Sequence, residues 1–303
     1  MRRWRWKKEK KMCGGENAAG DNLRITMTGG RTAAAISGGT GIPPAHIVLA
    51  KNAPMLYNPR EVLTVNENIA ILRKWIEESD NIVFFGGAGV STESGIPDFR
   101  SVDGLYSQKY KYPPETIISH SFFEAQPEEF YRFYRDKMLY PDAEPNAAHR
   151  KLAEWEKAGK LSAVITQNID GLHQKAGSRN VLELHGSVLR NYCRRCRRFY
   201  GIEAILESEG VPRCDCGGVL KPDVVLYEEG LDQNVLQSAV WHLQHADMLI
   251  IGGTSLAVYP AAGLVHYFSG RHLVVINKNA AGSDLGADLL LTDPIGEVFS
   301  ALQ

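Results

Sequence analysis

The sequence has no run of about 18 apolar residues, which is the length that a membrane-spanning helix needs. Its basic start, residues 1–11, leads into a polar segment and lacks the apolar core of a secretion signal. Cysteine is scarce too: four of the five lie between Cys193 and Cys216, which argues against a disulfide framework. We therefore expect a cytoplasmic protein with no membrane span.

The chain also lacks the excess of positive charge that is typical of nucleic-acid-binding proteins, since its net charge is -1. Residues 1–11 hold seven basic side chains and one acid, so the rest of the chain is mildly acidic. A mildly acidic protein surface suits a basic partner such as a lysine-bearing peptide, and we expect no nucleic-acid partner. Residues 1–58 show no sustained periodicity and are predicted to be a disordered basic extension.

Hydrophobic periodicity begins at Thr64, where a Thr-x-x-Glu capping box with Glu67 predicts the start of an amphipathic helix. Short apolar runs that are typical of buried strands follow at 82–85, 163–166, 248–251, 273–276 and 289–291. Helix-compatible stretches at 146–157 and 235–245 lie between several of these runs. The pattern predicts an α/β domain over residues 59–303 with a doubly wound parallel, Rossmann-like sheet.

Two segments interrupt this alternation. Residues 101–140, rich in aromatics and prolines, predict a helical excursion, and residues 187–221 predict a small inserted zinc-ribbon module. Two excursions over one sheet would leave a cleft between them.

The cysteine spacing predicts a metal site. Cys193-x-x-Cys196, seventeen residues and Cys214-x-Cys216 provide four thiolates, enough for a closed tetrahedral zinc site. Because no ligand position stays open, such a zinc ion would be structural. A redox dithiol is the alternative, although the second pair matches C-x-x-C poorly. The arginines around the first pair could form a nucleic-acid-binding ribbon or a solvated, charged knuckle.

A glycine turn follows the first predicted strand. Gly87, Ala88 and Gly89 would let the main chain approach a pyrophosphate, whose charge suits the free N–H groups of a helix start. The G-x-G-x-x-G pattern is incomplete because Thr92 holds its last position. A tight turn that binds no ligand therefore stays an open alternative.

Polar side chains follow other predicted strands. Gln167, Asn168 and Asp170 come after the strand at 163–166, at the edge where open α/β sheets bind ligands. Asp170 could instead be a helix N-cap. His185 follows the segment Val-Leu-Glu-Leu at 181–184. A histidine there is a general base, or else a structural or exposed residue.

These segments together resemble the sirtuin family over about residues 60–303. The motifs that carry the resemblance are GAGVSTESGIPDFRS from Gly87, TQNIDGLH from Thr166, LHGS from Leu184, the cysteines, GGTSL from Gly252, and Ile276-Asn277. The resemblance implies an NAD-dependent protein lysine deacetylase that consumes NAD and yields nicotinamide, O-acetyl-ADP-ribose and free lysine. Its implied partners are acetyl-lysine-bearing proteins or peptides, and its metal is one structural zinc ion.

The resemblance also implies residue roles. His185 matches the general base, and Asn168 and Asp170 complete the catalytic group. The residues that match the NAD-binding positions are Gly87, Ala88, Gly89, Thr92, Asp98, Phe99, Arg100, Gln167, Asn168, Ile169, Asp170, Thr254, Ser255, Asn277 and Ile295. Within this set, Ile169 and Asp170 would meet nicotinamide, and Asn277 the adenosine half.

The sequence departs from the family pattern at the substrate side. Tyr227-Glu228-Glu229 stands where relatives commonly have Phe-Gly-Glu, after the segment 224–226 along which a substrate peptide would add a strand, opposite the loop 254–258. Relatives that prefer succinyl-lysine carry Tyr-x-x-Arg, whereas here Arg135 lies one position late, so we expect neutral acyl groups.

Other functions stay open. A protein ADP-ribosyltransferase or an NAD hydrolase of the same fold is the nearest alternative, and a non-catalytic zinc-ribbon module is a more distant one. A hydride-transferring dehydrogenase is disfavoured, because Thr92 interrupts the glycine pattern and Asn277 stands where an acidic ribose ligand is usual.

Overall fold

The computed structural model describes residues 65–98, 110–278 and 285–302. Phe99 and Arg100, both predicted to contact NAD, lie outside the described residues, as does the predicted basic extension. None of the helices in the described ranges is long and apolar enough to cross a membrane.

Helices and strands alternate along most of the chain. The helices of the described residues are α1 (Val65–Glu78), α2 (Pro114–Ile117), α3 (His120–Ala125), α4 (Pro127–Lys137), α5 (Ala147–Lys157), α6 (Leu172–Ala176), α7 (Glu203–Leu206), α8 (Gln233–His245) and α9 (Ile295–Ala301). The strands are β1 (Ile82–Gly86), β2 (Leu161–Thr166), β3 (Val181–Glu183), β4 (Gly186–Cys193), β5 (Phe199–Tyr200), β6 (Leu220–Val224), β7 (Met248–Gly252), β8 (His272–Ile276) and β9 (Leu289–Leu291).

Six strands of the described chain form one parallel sheet in the order β3-β2-β1-β7-β8-β9. All five residues of β1 and of β7 are buried, because helices cover both faces of the sheet. The strand order reverses between β1 and β7, which creates the crevice where doubly wound sheets bind their ligands. The predicted fold class is therefore confirmed.

Alternate side chains of the central strands enter two different cores. Phe84 and Ile250 pack with Leu72 of α1 and Phe299 of α9 on one face. Phe85 packs among the residues that α8 covers on the other face. Because full burial of such a side chain contributes roughly 1.5–3 kcal/mol, the strand ends are held firmly in place.

The two excursions form one small lobe, which we define as α2–α4, α7 and the antiparallel sheet β5-β4-β6. Phe130, Tyr131, Phe133 and Tyr134 of α4 are all fully buried, and they share a core with Leu220 of β6. A helix with aromatics on most of its sides must be covered all round. The expectation of a cleft between the two excursions is therefore wrong, since they pack against each other.

Short sequence patterns agree with the observed helices at α1 and α5. Ile69, Leu72 and Ile76 of α1 are buried, as their helical spacing predicts. Asn146 caps α5, where its side chain accepts the N–H groups of Ala148 and His149.

Candidate active site

A cleft of about 1040 Å³ lies between the carboxyl ends of the parallel strands and the small lobe. Because parallel strands end at the same edge, segments far apart in the sequence meet in its wall. His185 lines this cleft. The lining residues among those predicted to contact NAD are Gly87, Ala88, Gly89, Asp98, Gln167, Asn168, Ile169, Asp170, Thr254, Ser255 and Asn277.

The glycine turn after β1 is packed directly against the loop after β7. The Gly89 N–H donates to the Gly253 carbonyl at 2.8 Å. A Cβ on Gly89 would lie 2.8 Å from the Gly253 Cα, and a Cβ on Gly253, whose φ is 57°, would lie 2.4 Å from the Val90 nitrogen. These glycines are thus required by packing, and they also leave main chain accessible at the cleft wall.

Ser91 links the two polar side chains that follow β2. Its hydroxyl donates to Asp170 Oδ2 at 2.7 Å and accepts from Asn168 Nδ2 at 3.0 Å. The other carboxylate oxygen of Asp170 accepts the Leu172 N–H at 2.9 Å. Asp170 therefore contacts the first turn of α6, but the N-cap residue of that helix is Gly171 and not Asp170. Burial raises the pKa of Asp170, and these hydrogen bonds oppose that rise.

A second chain of hydrogen bonds joins the ends of β2, β7 and β8. Gln167 Nε2 donates to Thr254 Oγ1 at 2.9 Å, and Asn277 Nδ2 donates to the Thr254 carbonyl at 2.8 Å. Their amide groups are therefore oriented at the cleft wall, where hydroxyl-rich ligands such as ribose could be bound.

His185 has a defined tautomer. Its Nδ1 atom lies 2.9 Å from the Gln167 carbonyl oxygen, which can only accept, so Nδ1 carries the proton and Nε2 is the basic nitrogen. Burial lowers the pKa of His185, although the bond to Gln167 opposes the shift. Gly186, with φ of 75°, permits this placement, because a Cβ there would lie 1.8 Å from the Asp223 carbonyl oxygen.

Two predicted NAD contacts do not line the cleft. The Thr92 hydroxyl donates to the Gly89 carbonyl at 3.0 Å and so stabilises the glycine turn. Ile295, 5% exposed, starts α9 and packs beneath Gly252, whose added Cβ would lie 2.6 Å from the Ile295 side chain. Their roles toward NAD stay predictions.

The sequence reasoning missed Ser91, although it lies within the quoted GAGVSTES motif and carries a hydroxyl two residues after Gly89. It also gave Glu228 no site role. Glu228 lines the cleft in a left-handed conformation, with φ of 75°, which costs a non-glycine residue about 1–2 kcal/mol. The sequence did carry a signal for Glu228: it occupies the middle position of Tyr227-Glu228-Glu229, where relatives commonly have glycine.

The four clustered cysteines fit a zinc ion. Their sulfur atoms all lie within 4.8 Å of one another, with Cys193–Cys216 and Cys196–Cys214 separations of 3.5 Å. Tetrahedral zinc with Zn–S bonds of about 2.3 Å needs sulfur separations of about 3.8 Å. The donor set therefore suits a closed site better than a redox dithiol.

The unusual second cysteine pair is supported by the two glycines after it. Gly217, with φ of 80°, donates its N–H to the Cys214 carbonyl at 2.8 Å. A Cβ on Gly218 would lie 2.6 Å from the Cys193 sulfur. The Tyr200 hydroxyl donates to Cys214 Sγ at 3.0 Å. This bond, together with the Cys216 main-chain N–H, lowers the pKa of the Cys214 thiol to about 6, whereas hydrogen bonds to the neighbouring thiols raise the pKa of Cys216.

Comparisons with known proteins agree with this architecture. A profile of the Sir2 family matches residues 87–260. The chain is 60% identical over 239 residues to a protein of Clostridium perfringens named NAD-dependent protein deacetylase, covering 78% of this chain and 98% of that one. A protein of the same name from Cutibacterium acnes is 56% identical over 234 residues, with coverages of 77% and 96%.

Solved structures match as well. A Sir2 protein with a deacetylated p53 peptide and 3'-O-acetyl ADP ribose aligns with a TM-score of 0.71 at 41% identity, covering 77% of this chain and 96% of that one. A Sir2 complex with a p53 peptide and NAD+ aligns with a TM-score of 0.68 at 42% identity, with coverages of 77% and 95%. With its doubly wound sheet, four-cysteine module and histidine-bearing cleft, this chain belongs to the Sir2 family, the sirtuins.

Proposed function

We propose that this chain is an NAD-dependent protein lysine deacetylase that yields nicotinamide, O-acetyl-ADP-ribose and the free lysine. The observation that carries the proposal is His185, held as a neutral base in the cleft at the switch point of the sheet. Relatives at 41% to 60% identity bear the deacetylase name, and similar structures hold NAD+ or an acetylated peptide.

When bound, NAD supplies an activated glycosidic carbon and the ribose hydroxyls on which the reaction proceeds. Gln167, Thr254, Ser255 and Asn277 would bind its hydroxyl and phosphate groups from the strand ends. The glycine turn from Gly87 would lie against the pyrophosphate.

Ser91, Asn168 and Asp170 would position the nicotinamide end. Their mutual hydrogen bonds hold the amide and the carboxylate in one arrangement before any ligand arrives. Such preorganisation matters because a cation-like sugar centre must be oriented and protected from water.

His185 would accept the proton of a ribose hydroxyl through Nε2. Its lowered pKa keeps the imidazole neutral near pH 7, which is the state that a general base requires. The hydrogen bond from His185 Nδ1–H to the Gln167 carbonyl oxygen then stabilises the positive charge that the imidazole ring gains.

The acetylated peptide would lie along 224–226, opposite the loop 254–258. Val224, Val225, Leu226 and Val258 line the cleft, and the Val225 N–H donates to the His185 carbonyl at 3.0 Å. A strand added there would bring its lysine side chain to the catalytic histidine.

The acyl group should be neutral. Arg135 Nε donates to the Ile205 carbonyl at 2.8 Å, and its Nη2 donates to Ser208 Oγ at 2.7 Å and to the Gly210 carbonyl at 2.8 Å. These bonds hold its guanidinium within the small lobe, so it is not available to pair with a succinyl carboxylate.

Zinc would be structural, held by Cys193, Cys196, Cys214 and Cys216. It would fix the cysteine-bearing end of the short sheet in the small lobe, beside the hydrophobic core that this lobe shares with α4. Cytoplasmic location, the disordered extension 1–58 and the absence of a nucleic-acid partner stay predictions.

Mass spectrometry of purified protein with NAD and an acetyl-lysine peptide tests the function. We expect O-acetyl-ADP-ribose and deacetylated peptide only when both substrates are present. ADP-ribosylated protein would instead support a transferase, and ADP-ribose that forms without peptide would support an NAD hydrolase.

A further inference from the structure

The loop Tyr227–Glu229, which follows β6, forms one rim of the cleft and is tied firmly to the small lobe. The Tyr227 N–H donates to the Ile118 carbonyl at 3.1 Å, and the His120 N–H donates to the Tyr227 carbonyl at 3.0 Å. All three loop residues line the cleft. The rim therefore presents its side chains in a fixed place.

The Glu228 carboxylate lies at this rim and accepts hydrogen bonds from uncharged groups of Ser121. Its Oε2 accepts the Ser121 N–H at 2.9 Å and its Oε1 accepts the Ser121 hydroxyl at 3.0 Å. These bonds help to maintain its left-handed backbone. Among the described residues, no cation lies within ion-pair distance of Glu228, and the residue is exposed.

The neighbouring charges are compensated, in contrast to Glu228. Glu229 accepts from Lys221 Nζ at 3.0 Å and lies 2.8 Å from His120 Nδ1. The two lysines that line the cleft among the described residues are paired too, with Lys137 3.4 Å from Asp136 and Lys175 2.7 Å from Glu144. Within the part of the chain that the structure describes, the Glu228 carboxylate thus has hydrogen bonds but no ion-pair partner, and it lies beside the path proposed for the peptide.

We propose that Glu228 is a specificity-determining residue that favours substrates with a basic side chain near the acetyl-lysine. This inference rests on the proposed deacetylase function. The Val225 N–H donates to the His185 carbonyl, and Glu228 lies three residues after Val225. Three residues of extended main chain span at most about 10 Å, so Glu228 lies close to the catalytic histidine. The basic residue would therefore lie within about three positions of the modified lysine.

Acetyl-peptides with arginine, glutamine or glutamate at each of these positions test the proposal, with kcat/KM for O-acetyl-ADP-ribose as the readout. At the responsive position, arginine is expected to exceed glutamate by about tenfold at low salt, mainly through KM. The ratio should shrink at about 0.5 M salt, because exposed charges are screened.

Glu228→Gln removes the charge but can keep both hydrogen bonds to Ser121, and it is expected to lower the arginine-to-glutamate ratio below about threefold. Glu228→Gly, which suits the left-handed backbone, should lower the ratio equally. Glu209→Gln removes an exposed charge away from the cleft and should leave the ratio unchanged.

Equal rates on arginine and glutamate peptides in the wild type, or an unchanged ratio in both Glu228 variants, would overturn the specificity proposal and leave the deacetylase function intact. No deacetylation of any peptide would overturn both.

Discussion

The Nδ1 atom of His185 donates to the main-chain carbonyl of Gln167 across 2.9 Å. This bond joins the end of β3 to the end of β2, two neighbouring strands of the parallel sheet. Because the acceptor is a main-chain group, no substitution at Gln167 removes it, and the tautomer of His185 is built into the fold.

Replacing the base should abolish most of the activity. General-base catalysis contributes about 10²–10⁴-fold, so His185→Ala should lower kcat by that factor while NAD still binds. Product formation by mass spectrometry and NAD binding by calorimetry measure the two effects. His266→Ala, at an exposed histidine, is the control. A His185→Ala enzyme with full kcat would refute the assignment.

The pH dependence of kcat/KM should reflect a histidine whose pKa is lowered by burial. Activity needs neutral His185, so the rate should be constant at high pH and decline as pH falls through that pKa. The midpoint should lie below about 6.5, the usual value for histidine. An acidic limb with its midpoint above pH 7 would contradict this environment.

Ser91→Ala should weaken catalysis without unfolding the protein. It removes the donor to Asp170 Oδ2 and the acceptor of Asn168 Nδ2, both part-buried groups, which is expected to lower kcat/KM by roughly tenfold to a hundredfold. Steady-state kinetics with thermal melting checks this expectation. Ser300→Ala, at an exposed serine, provides the comparison, and equal kinetics in the two variants would exclude a role for Ser91.

Zinc removal should destabilise the small lobe. Cys214→Ser or a strong chelator should release the metal, lower the melting temperature and reduce activity together, because binding energy of a structural zinc is folding energy. Metal content by atomic absorption, followed with melting curves, tests this. Cys13→Ser should keep one zinc per chain, and a Cys214→Ser protein that also keeps it would argue against the four-cysteine site.

Acid should unfold the protein partly through two buried histidines. His149 and His173 lie with ring centroids 4.7 Å apart. Burial lowers the pKa of His149 to about 4 and that of His173 to about 3. The unfolded chain binds their protons below about pH 6.5 and the folded chain resists them, so the free energy of unfolding should fall by about 1.4 kcal/mol per pH unit for each histidine between pH 6 and 4.

Urea titrations across this pH range measure the slope. His173→Phe, which fills the site with an apolar ring, should make the slope shallower, whereas Ser300→Ala, at an exposed serine, should not change it. An identical slope in His173→Phe would show that other groups govern acid unfolding.

Hydrophobic patterns within short segments of the sequence were sufficient to predict most of the central strands. The apolar runs became the central strands, since a strand with helices on both faces must be apolar throughout, as Ile82–Gly86 is. The shared core of the small lobe could not be foreseen from the sequence. The hydrogen bond from the Tyr131 hydroxyl to the Leu220 carbonyl joins two segments that are far apart in the sequence, and local periodicity does not predict which distant segments pack together.

By itself, the sequence determined the element order, the strand-end location of Asp170 and His185, and the four cysteines that cluster with metal-ligand spacing, because these depend on periodicity and spacing along the chain. The tertiary structure decided the rest: the bond from Ser91 to Asp170, 79 residues away, the proton position on His185, and the hydrogen bonds between Ser121 and the Glu228 carboxylate. Those features depend on distances between atoms of different segments, which packing sets and local pattern does not.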